Sequence, residues 1–292
     1  MSDYVILTDS SCDLPAGLAA EKGIEYVPLT VRMDGKEYRN ELDWREIKPH
    51  EFYERLRAGA KVQTSAPTVQ EFYERITEAC EQGKDVLYLG FSSALSGAYQ
   101  AGHQAMEMAR EKYPERKLLD VDTLSASLGQ GLLVILTQQR KEAGATIEQA
   151  AEYAENNRLR LCHWFTMPDL DHLRRGGRIS ATSAVLGTML NIRPVMHMNN
   201  RGELEYVSKA RGSRAVYQRF IDRVRQTADH PEEQMMFISH GDDEQEAFRL
   251  RDMVQQTFDV KTFVIGPVGP VIGAHAGPGT LAFCFLGKKR PL

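Results

Sequence analysis

Short apolar runs alternate with amphipathic stretches through the first half of the chain, and this alternation predicts its architecture. Apolar runs predict strands at residues 4–7, 26–31, 86–89 and 118–121. Amphipathic segments predict helices after residue 13 and near residues 50–58, 69–81, 96–112 and 126–142. Strands that alternate with helices are typical of an open, mostly parallel sheet with flanking helices. We therefore expect an α/β domain over residues 1–160.

The pattern changes after a polar helix predicted near residues 147–158. Strands are then predicted at residues 161–167, 193–197, 202–206, 235–238, 260–265 and 283–286, and helices at 212–228 and 243–257. The segment Asn199-Asn-Arg-Gly202 between two of these strands indicates a hairpin. A chain of 292 residues also exceeds the ~100–200 residues of a typical single domain. We expect a second, α+β domain over residues 161–292.

Hydroxyl-rich segments follow three of the predicted strands, at residues 8–13, 92–93 and 123–127. Ligands of open parallel sheets bind beyond the carboxyl ends of the strands. Another hydroxyl-rich turn, Thr64-Ser-Ala-Pro-Thr68, precedes a predicted helix, where free N–H groups favour an anion. Thr68 and Ser96 suit helix capping equally well. The pattern therefore predicts either helix caps or a pocket for an acid.

Two further segments carry candidate chemistry. His275 lies in an apolar segment rich in glycine and proline, where it is either structural or a donor to an anion. Three arginines within residues 174–178 suit a phosphate or an acidic partner, or they are a solvated helix end. The acidic residues 242–244 are predicted to cap the following helix.

Composition and motif searches exclude several classes of protein. The net charge of −4 argues against a nucleic-acid-binding surface. The four cysteines show no CxxC spacing and no secretory signal precedes them, which predicts reduced thiols and a cytoplasmic protein. The apolar run at residues 128–136 is far shorter than the ~20 residues that span a bilayer. Motifs for zinc, for a phosphate-binding loop and for a nucleophile elbow are absent from the sequence, so we expect no metal and no bound nucleotide.

A Ser–His–Asp triad built from Ser93, His275 and Asp9 stays open at this point, because sequence order does not restrict such an arrangement. It would make the protein a serine-dependent hydrolase or phosphotransferase.

Five segments occur in the order found in the DegV family, and they extend through nearly the whole chain. They are Thr8-Asp-Ser-Ser-Cys-Asp-Leu-Pro15, Thr64-Ser-Ala-Pro-Thr68, Ser92-Ser-Ala-Leu-Ser-Gly97, Leu173-Arg-Arg-Gly-Gly-Arg-Ile-Ser180 and His275-Ala-Gly-Pro-Gly-Thr280. The chain thus resembles that family. The resemblance implies a two-domain α/β protein that encloses one long-chain fatty acid between its domains. It also implies the acyl-binding subunit of a bacterial fatty acid kinase, whose separate kinase subunit carries ATP and phosphorylates the carboxylate.

The resemblance also implies site residues. The fatty-acid carboxylate is expected on Thr64 and on Ser93, with Ser92 and His275 close by. Arg178 and Arg211 match positions associated with the carboxylate end or with docking of the kinase. This chain departs from the family pattern at three positions near the head group: Ala66, Thr68 and Ala98.

These observations favour a lipid-binding carrier without catalysis of its own and without a cofactor, which contacts membrane surfaces only transiently. A regulatory module that is merely stabilised by lipid is a further alternative. An acyl tail of about fifteen carbons contributes on the order of 12 kcal/mol before ordering costs, which exceeds the contribution of two or three head-group hydrogen bonds. Candidates for closing the far end of a tunnel are Leu186, Met189, Leu190 and Met196.

Overall fold

The computed structural model describes residues 3–168, 170–179 and 191–290. Its strands are β1 (Tyr4–Asp9), β2 (Glu25–Val27), β3 (Thr30–Met33), β4 (Lys36–Arg39), β5 (Val62–Ser65), β6 (Asp85–Gly90), β7 (Leu118–Asp122), β8 (Leu161–Thr166), β9 (Ile192–Met198), β10 (Leu204–Arg211), β11 (Met235–His240), β12 (Thr262–Pro267) and β13 (Leu281–Leu286). Its helices are α1 (Ala16–Glu21), α2 (Pro49–Arg57), α3 (Val69–Glu81), α4 (Ala98–Lys112), α5 (Ser127–Glu142), α6 (Ile147–Asn157), α7 (Asp171–Arg175), α8 (Ser213–Thr227), α9 (Glu244–Phe258) and α10 (Pro270–Ala276).

The N-terminal domain is built on a parallel sheet with strand order β2-β1-β6-β7. Every residue of β1 and β6 is buried, as expected for central strands that are covered by helices on both faces. The predicted α/β fold class is confirmed.

A small antiparallel sheet, β4-β3-β5, is an element that the sequence pattern did not predict. The single strand expected at residues 26–31 is divided between β2 and β3. The hairpin β3–β4 turns at Asp34 and Gly35, both with positive φ, which is the backbone of a tight two-residue turn. This Asp-Gly pair was the available sequence signal.

The second domain contains a mixed six-stranded sheet with strand order β10-β9-β8-β13-β11-β12. Helices α8 and α9 cover one face of this sheet, and α5 of the first domain lies against the other. Helix α5 also contacts β1, so it separates the two large sheets and is buried through most of its length. The chain passes from the parallel sheet to the six-stranded sheet between α6 and β8. The domain boundary at residue 160 stays a prediction.

The glycine- and proline-rich segment near His275, where the sequence pattern predicted no helix, forms α10. Pro270 is its first residue, where a missing N–H costs nothing, and Gly277, at φ 83°, ends it. Within the described part of the chain, no helix is long and apolar enough to cross a membrane.

Candidate functional site

A large cavity lies where the two domains meet. It contains about 1100 Å³ of empty space, part of it open to solvent. Its apolar wall includes Phe91 from the first domain and Phe165, Met167, Met198, Val271 and Ile272 from the second. A concave, mostly apolar cavity with a few polar groups is typical of a small-molecule site.

Two of the predicted carboxylate ligands meet at this cavity. Thr64, near the end of β5, and His275, in the last turn of α10, are joined by a hydrogen bond of 2.9 Å between Thr64 Oγ1 and His275 Nε2. They are 211 residues apart in the chain, and both line the cavity. The expectation that these motifs converge agrees with this geometry.

The imidazole of His275 is neutral at physiological pH. Burial, together with the charges of Arg178 and His172, lowers the pKa of His275 to about 4. Its Nδ1 faces Gly176, where an added Cβ would lie 2.2 Å away, and makes no hydrogen bond to any residue that the structure describes. When Nε2 carries the proton and donates to Thr64 Oγ1, the Thr64 hydroxyl is free to donate to a ligand.

Arg178 also lines the cavity. Its Nε donates to the Leu95 carbonyl at 3.1 Å and its Nη1 to the Gly176 carbonyl at 2.5 Å. The guanidinium therefore joins the turn before α4 to the residue that packs against His275. Arg211, in contrast, is exposed at the end of β10 and is not among the described residues that line the cavity.

The serine pair differs from the expectation. Ser92 is buried, and its hydroxyl donates to the Gly202 carbonyl at 2.8 Å, so its only proton is not available to a ligand. Ser93 is exposed, and its backbone N–H donates to Asp122 at 3.3 Å. From this turn, the described lining residues are Leu95, Ser96 and Gly97, and Ser96 was considered from the sequence only as a cap.

The possible triad is not assembled. Asp9 is buried and accepts hydrogen bonds from Ser11, Gln130 and the backbone N–H of Phe91. Neither Ser93, which is exposed, nor His275, which pairs with Thr64, is among the described residues that form hydrogen bonds with Asp9.

The other hydroxyl positions divide between capping and lining. Thr68 forms a capping box with Glu71 at the start of α3, which confirms its capping role. Ser11 and Ser127, from the predicted clusters after β1 and β7, line the cavity. Ser239, which no sequence signal indicated, lies 3.3 Å from the Ser127 hydroxyl.

The residues considered for the far end of a tunnel are only partly visible. Met196 is buried in β9 within an apolar cluster, and the cavity is lined instead by Met198, two residues further along the same strand. Leu186, Met189 and Leu190 lie outside the described residues.

The fold and the site together define a two-domain α/β ligand-binding protein, with an apolar cavity between the domains and a neutral hydroxyl–imidazole pair in its wall. The chain belongs to the DegV family, whose model, described as "Uncharacterised protein, DegV family", matches residues 3–288.

Relatives match the chain over nearly its full length. A DegV domain-containing protein of Clostridium perfringens is 41% identical over 99% of both chains. A protein of Thermotoga maritima named as a fatty acid-binding protein is 32% identical, covering 98% of this chain and 99% of the relative. A solved DegV family structure from Thermus thermophilus, described by its fatty acid binding, is 33% identical, with a TM-score of 0.88 and coverage of 98% and 100%.

Proposed function

We propose that this protein binds one long-chain fatty acid in the cavity between its domains and presents the carboxylate to a separate kinase subunit that carries ATP. The observation that carries the proposal is the Thr64–His275 pair, a neutral donor site in the wall of a largely apolar cavity. The names of the Thermotoga maritima and Thermus thermophilus relatives support the same class of ligand. The kinase partner rests on the resemblance of the five sequence motifs.

The chemistry of the head-group site suits presentation of the ligand. A carboxylate that accepts hydrogen bonds from neutral groups keeps more of its nucleophilicity than one paired with a buried cation. Arg178 is nearby, but two of its donors are already directed at the Leu95 and Gly176 carbonyls. Its remaining charge is placed to stabilise an acyl phosphate after transfer, since phosphoryl transfer depends mainly on positioning and charge stabilisation.

The remaining predicted residues keep proposed roles. Ser92 and Ser93 stay predicted carboxylate ligands, although neither hydroxyl lines the cavity in this conformation. Exposed Arg211 is proposed to contact the kinase. We place the protein in the cytoplasm, where its four buried, unpaired cysteines stay reduced and where it meets membranes only briefly.

Lipid analysis of the purified protein tests the ligand. Protein prepared from a bacterial host should release about one fatty acid per chain on solvent extraction, as measured by mass spectrometry. Finding no extracted lipid and no uptake of added palmitate would contradict the proposal.

A reconstituted assay tests the presentation. The protein, a fatty acid kinase subunit and ATP should together form acyl phosphate, and Thr64→Val should reduce its formation. Thr257→Val, which removes an exposed hydroxyl on α9, is the matched control and should leave formation unchanged. Equal acyl phosphate formation with the wild type, Thr64→Val and Thr257→Val would argue against the assigned head-group site.

A further inference from the structure

His163 is a polar side chain in the cavity wall that the proposed head-group site does not use. It lines the cavity and is 4% exposed. The Leu161 carbonyl interacts with the ring as a hydrogen-bond acceptor, but neither ring nitrogen makes a well-aligned hydrogen bond to any residue in the described ranges. Buried polar groups are nearly always paired, and leaving one unpaired costs about 1–3 kcal/mol. One ring nitrogen is therefore left without a partner among the described residues.

The wall around His163 lies deep in the cavity. On β8 the lining residues run from His163 through Phe165 to Met167, just after the strand. On the neighbouring strand they run from Thr280, just before β13, to Cys284, which lies directly opposite His163. The cavity thus follows these two strands.

The spacing along these strands separates His163 from the head group. Thr280 follows α10, the helix that carries His275. Four residues of strand, from Thr280 to Cys284, correspond to about 13 Å. A fatty acid held at Thr64 and His275 would therefore pass His163 with the middle of its chain.

The ring of His163 has the chemistry of a hydroxyl receptor. Burial and the charge of Arg290 lower its pKa well below the usual value, against a smaller opposing effect of the Leu161 carbonyl, so the ring is neutral. A neutral imidazole has one N–H donor and one nitrogen acceptor, and a hydroxyl group also donates and accepts.

The small residue Gly129 leaves room for the His163 ring. An added Cβ on Gly129 of α5 would lie 1.9 Å from His163 Nε2, so only glycine at this position admits the imidazole. Both nitrogens are covered in the empty cavity, so binding to a ligand group requires the ring to turn about χ2. The hydroxyls of Ser127 and Ser239 add further polarity to the wall.

We propose that the cavity takes fatty acids that carry a hydroxyl group near the middle of the chain, and that His163 recognises this hydroxyl. The proposal rests on the fatty-acid-binding function proposed above and adds the class of acyl chain. A purely apolar tail would leave one nitrogen of the imidazole without a partner, whereas a mid-chain hydroxyl supplies one.

Measured dissociation constants for three ligands test the proposal: stearic acid, 10-hydroxystearic acid and 2-hydroxystearic acid. Copurified lipid is exchanged for each ligand before the measurement. The wild-type protein should bind 10-hydroxystearic acid roughly tenfold tighter than His163→Phe does, the gain of about one hydrogen bond. Stearic acid should bind both proteins equally well or bind the variant slightly more tightly. The 2-hydroxy derivative should show no preference for the wild type.

Two further variants complete the design. His163→Gln keeps a donor and an acceptor and should retain part of the preference for the 10-hydroxy acid. Phe165→Leu changes the apolar wall on the same strand and should weaken both acids by the same factor. The ratio of the dissociation constants for stearic acid and 10-hydroxystearic acid measures the preference for the hydroxyl group. An equal ratio in the wild type and in His163→Phe would overturn the assignment. Binding of neither acid to the wild type would instead overturn the fatty-acid-binding function itself.

Discussion

Replacing Thr64 by valine tests the head-group site most directly. Valine keeps the branched shape that suits β5 and replaces the Oγ1 hydroxyl by a methyl group. The change removes the hydrogen bond to His275 Nε2 and the only side-chain donor that Thr64 offers to a carboxylate. The apolar wall of the cavity is left unchanged.

The size of the effect follows from the charge of the ligand. A hydrogen bond to an ionised group contributes about 1.5–3 kcal/mol, which corresponds to a change of about 10–150-fold in the dissociation constant. Burial of the tail, at about 0.8 kcal/mol per methylene, is common to the wild type and the variant. Thr64→Val should therefore weaken palmitate binding by about 10–150-fold, and binding of palmitic acid methyl ester, which is uncharged, by much less.

Displacement of a fluorescent fatty acid measures both constants on the same protein samples. Thr257→Val is again the control, since it removes a hydroxyl from the exposed side of α9. An equal loss of affinity for the acid and for the ester would show that Thr64 shapes the cavity rather than binding the charge. An unchanged affinity for palmitate would refute the site.

Three further predictions concern the support of the site. Gly176→Ala places a Cβ 2.2 Å from His275 Nδ1 and should weaken palmitate binding in the displacement assay, and an unchanged constant would contradict this contact. Arg290→Met removes donors to the carbonyls of four different segments and should lower the free energy of unfolding in urea by about 3 kcal/mol or more, whereas exposed Lys289→Met should have little effect. Burial raises the pKa of Asp13 to about 7, so its carboxyl favours the folded state below about pH 4 and loses this contribution as the pH rises to 7. The stability of Asp13→Asn relative to the wild type should accordingly rise between pH 4 and pH 7 in urea titrations, and a constant difference would exclude the shifted carboxyl.

Local sequence predicted the elements whose signals are themselves local. β1 and β6 are buried on both faces and therefore read as continuous apolar runs. The small antiparallel sheet was missed because its strands are short and half exposed. Helix α10 was missed because glycine and proline disfavour helices locally, whereas packing of Val271 against the small sheet stabilises this one.

The site was predictable to the extent that its residues fall in recognisable motifs. Thr64 and His275 were expected together, and their hydrogen bond agrees with that expectation. The orientation of Ser92 depends on the Gly202 carbonyl, 110 residues away, and no local pattern reports such a contact. His163 belongs to none of the recognised motifs, and only its burial and its lack of a well-aligned hydrogen bond single it out.

The strand order of the six-stranded sheet has a consequence for synthesis of the protein. β13 lies between β8 and β11, although it follows both of them in the chain. At typical elongation rates roughly ten seconds separate the synthesis of β8 from that of β13. During this interval the parallel sheet of the first domain has all its strands, while β8 and β11 each present an unpaired edge. A chaperone that shields strand edges would therefore act on this half of the nascent chain.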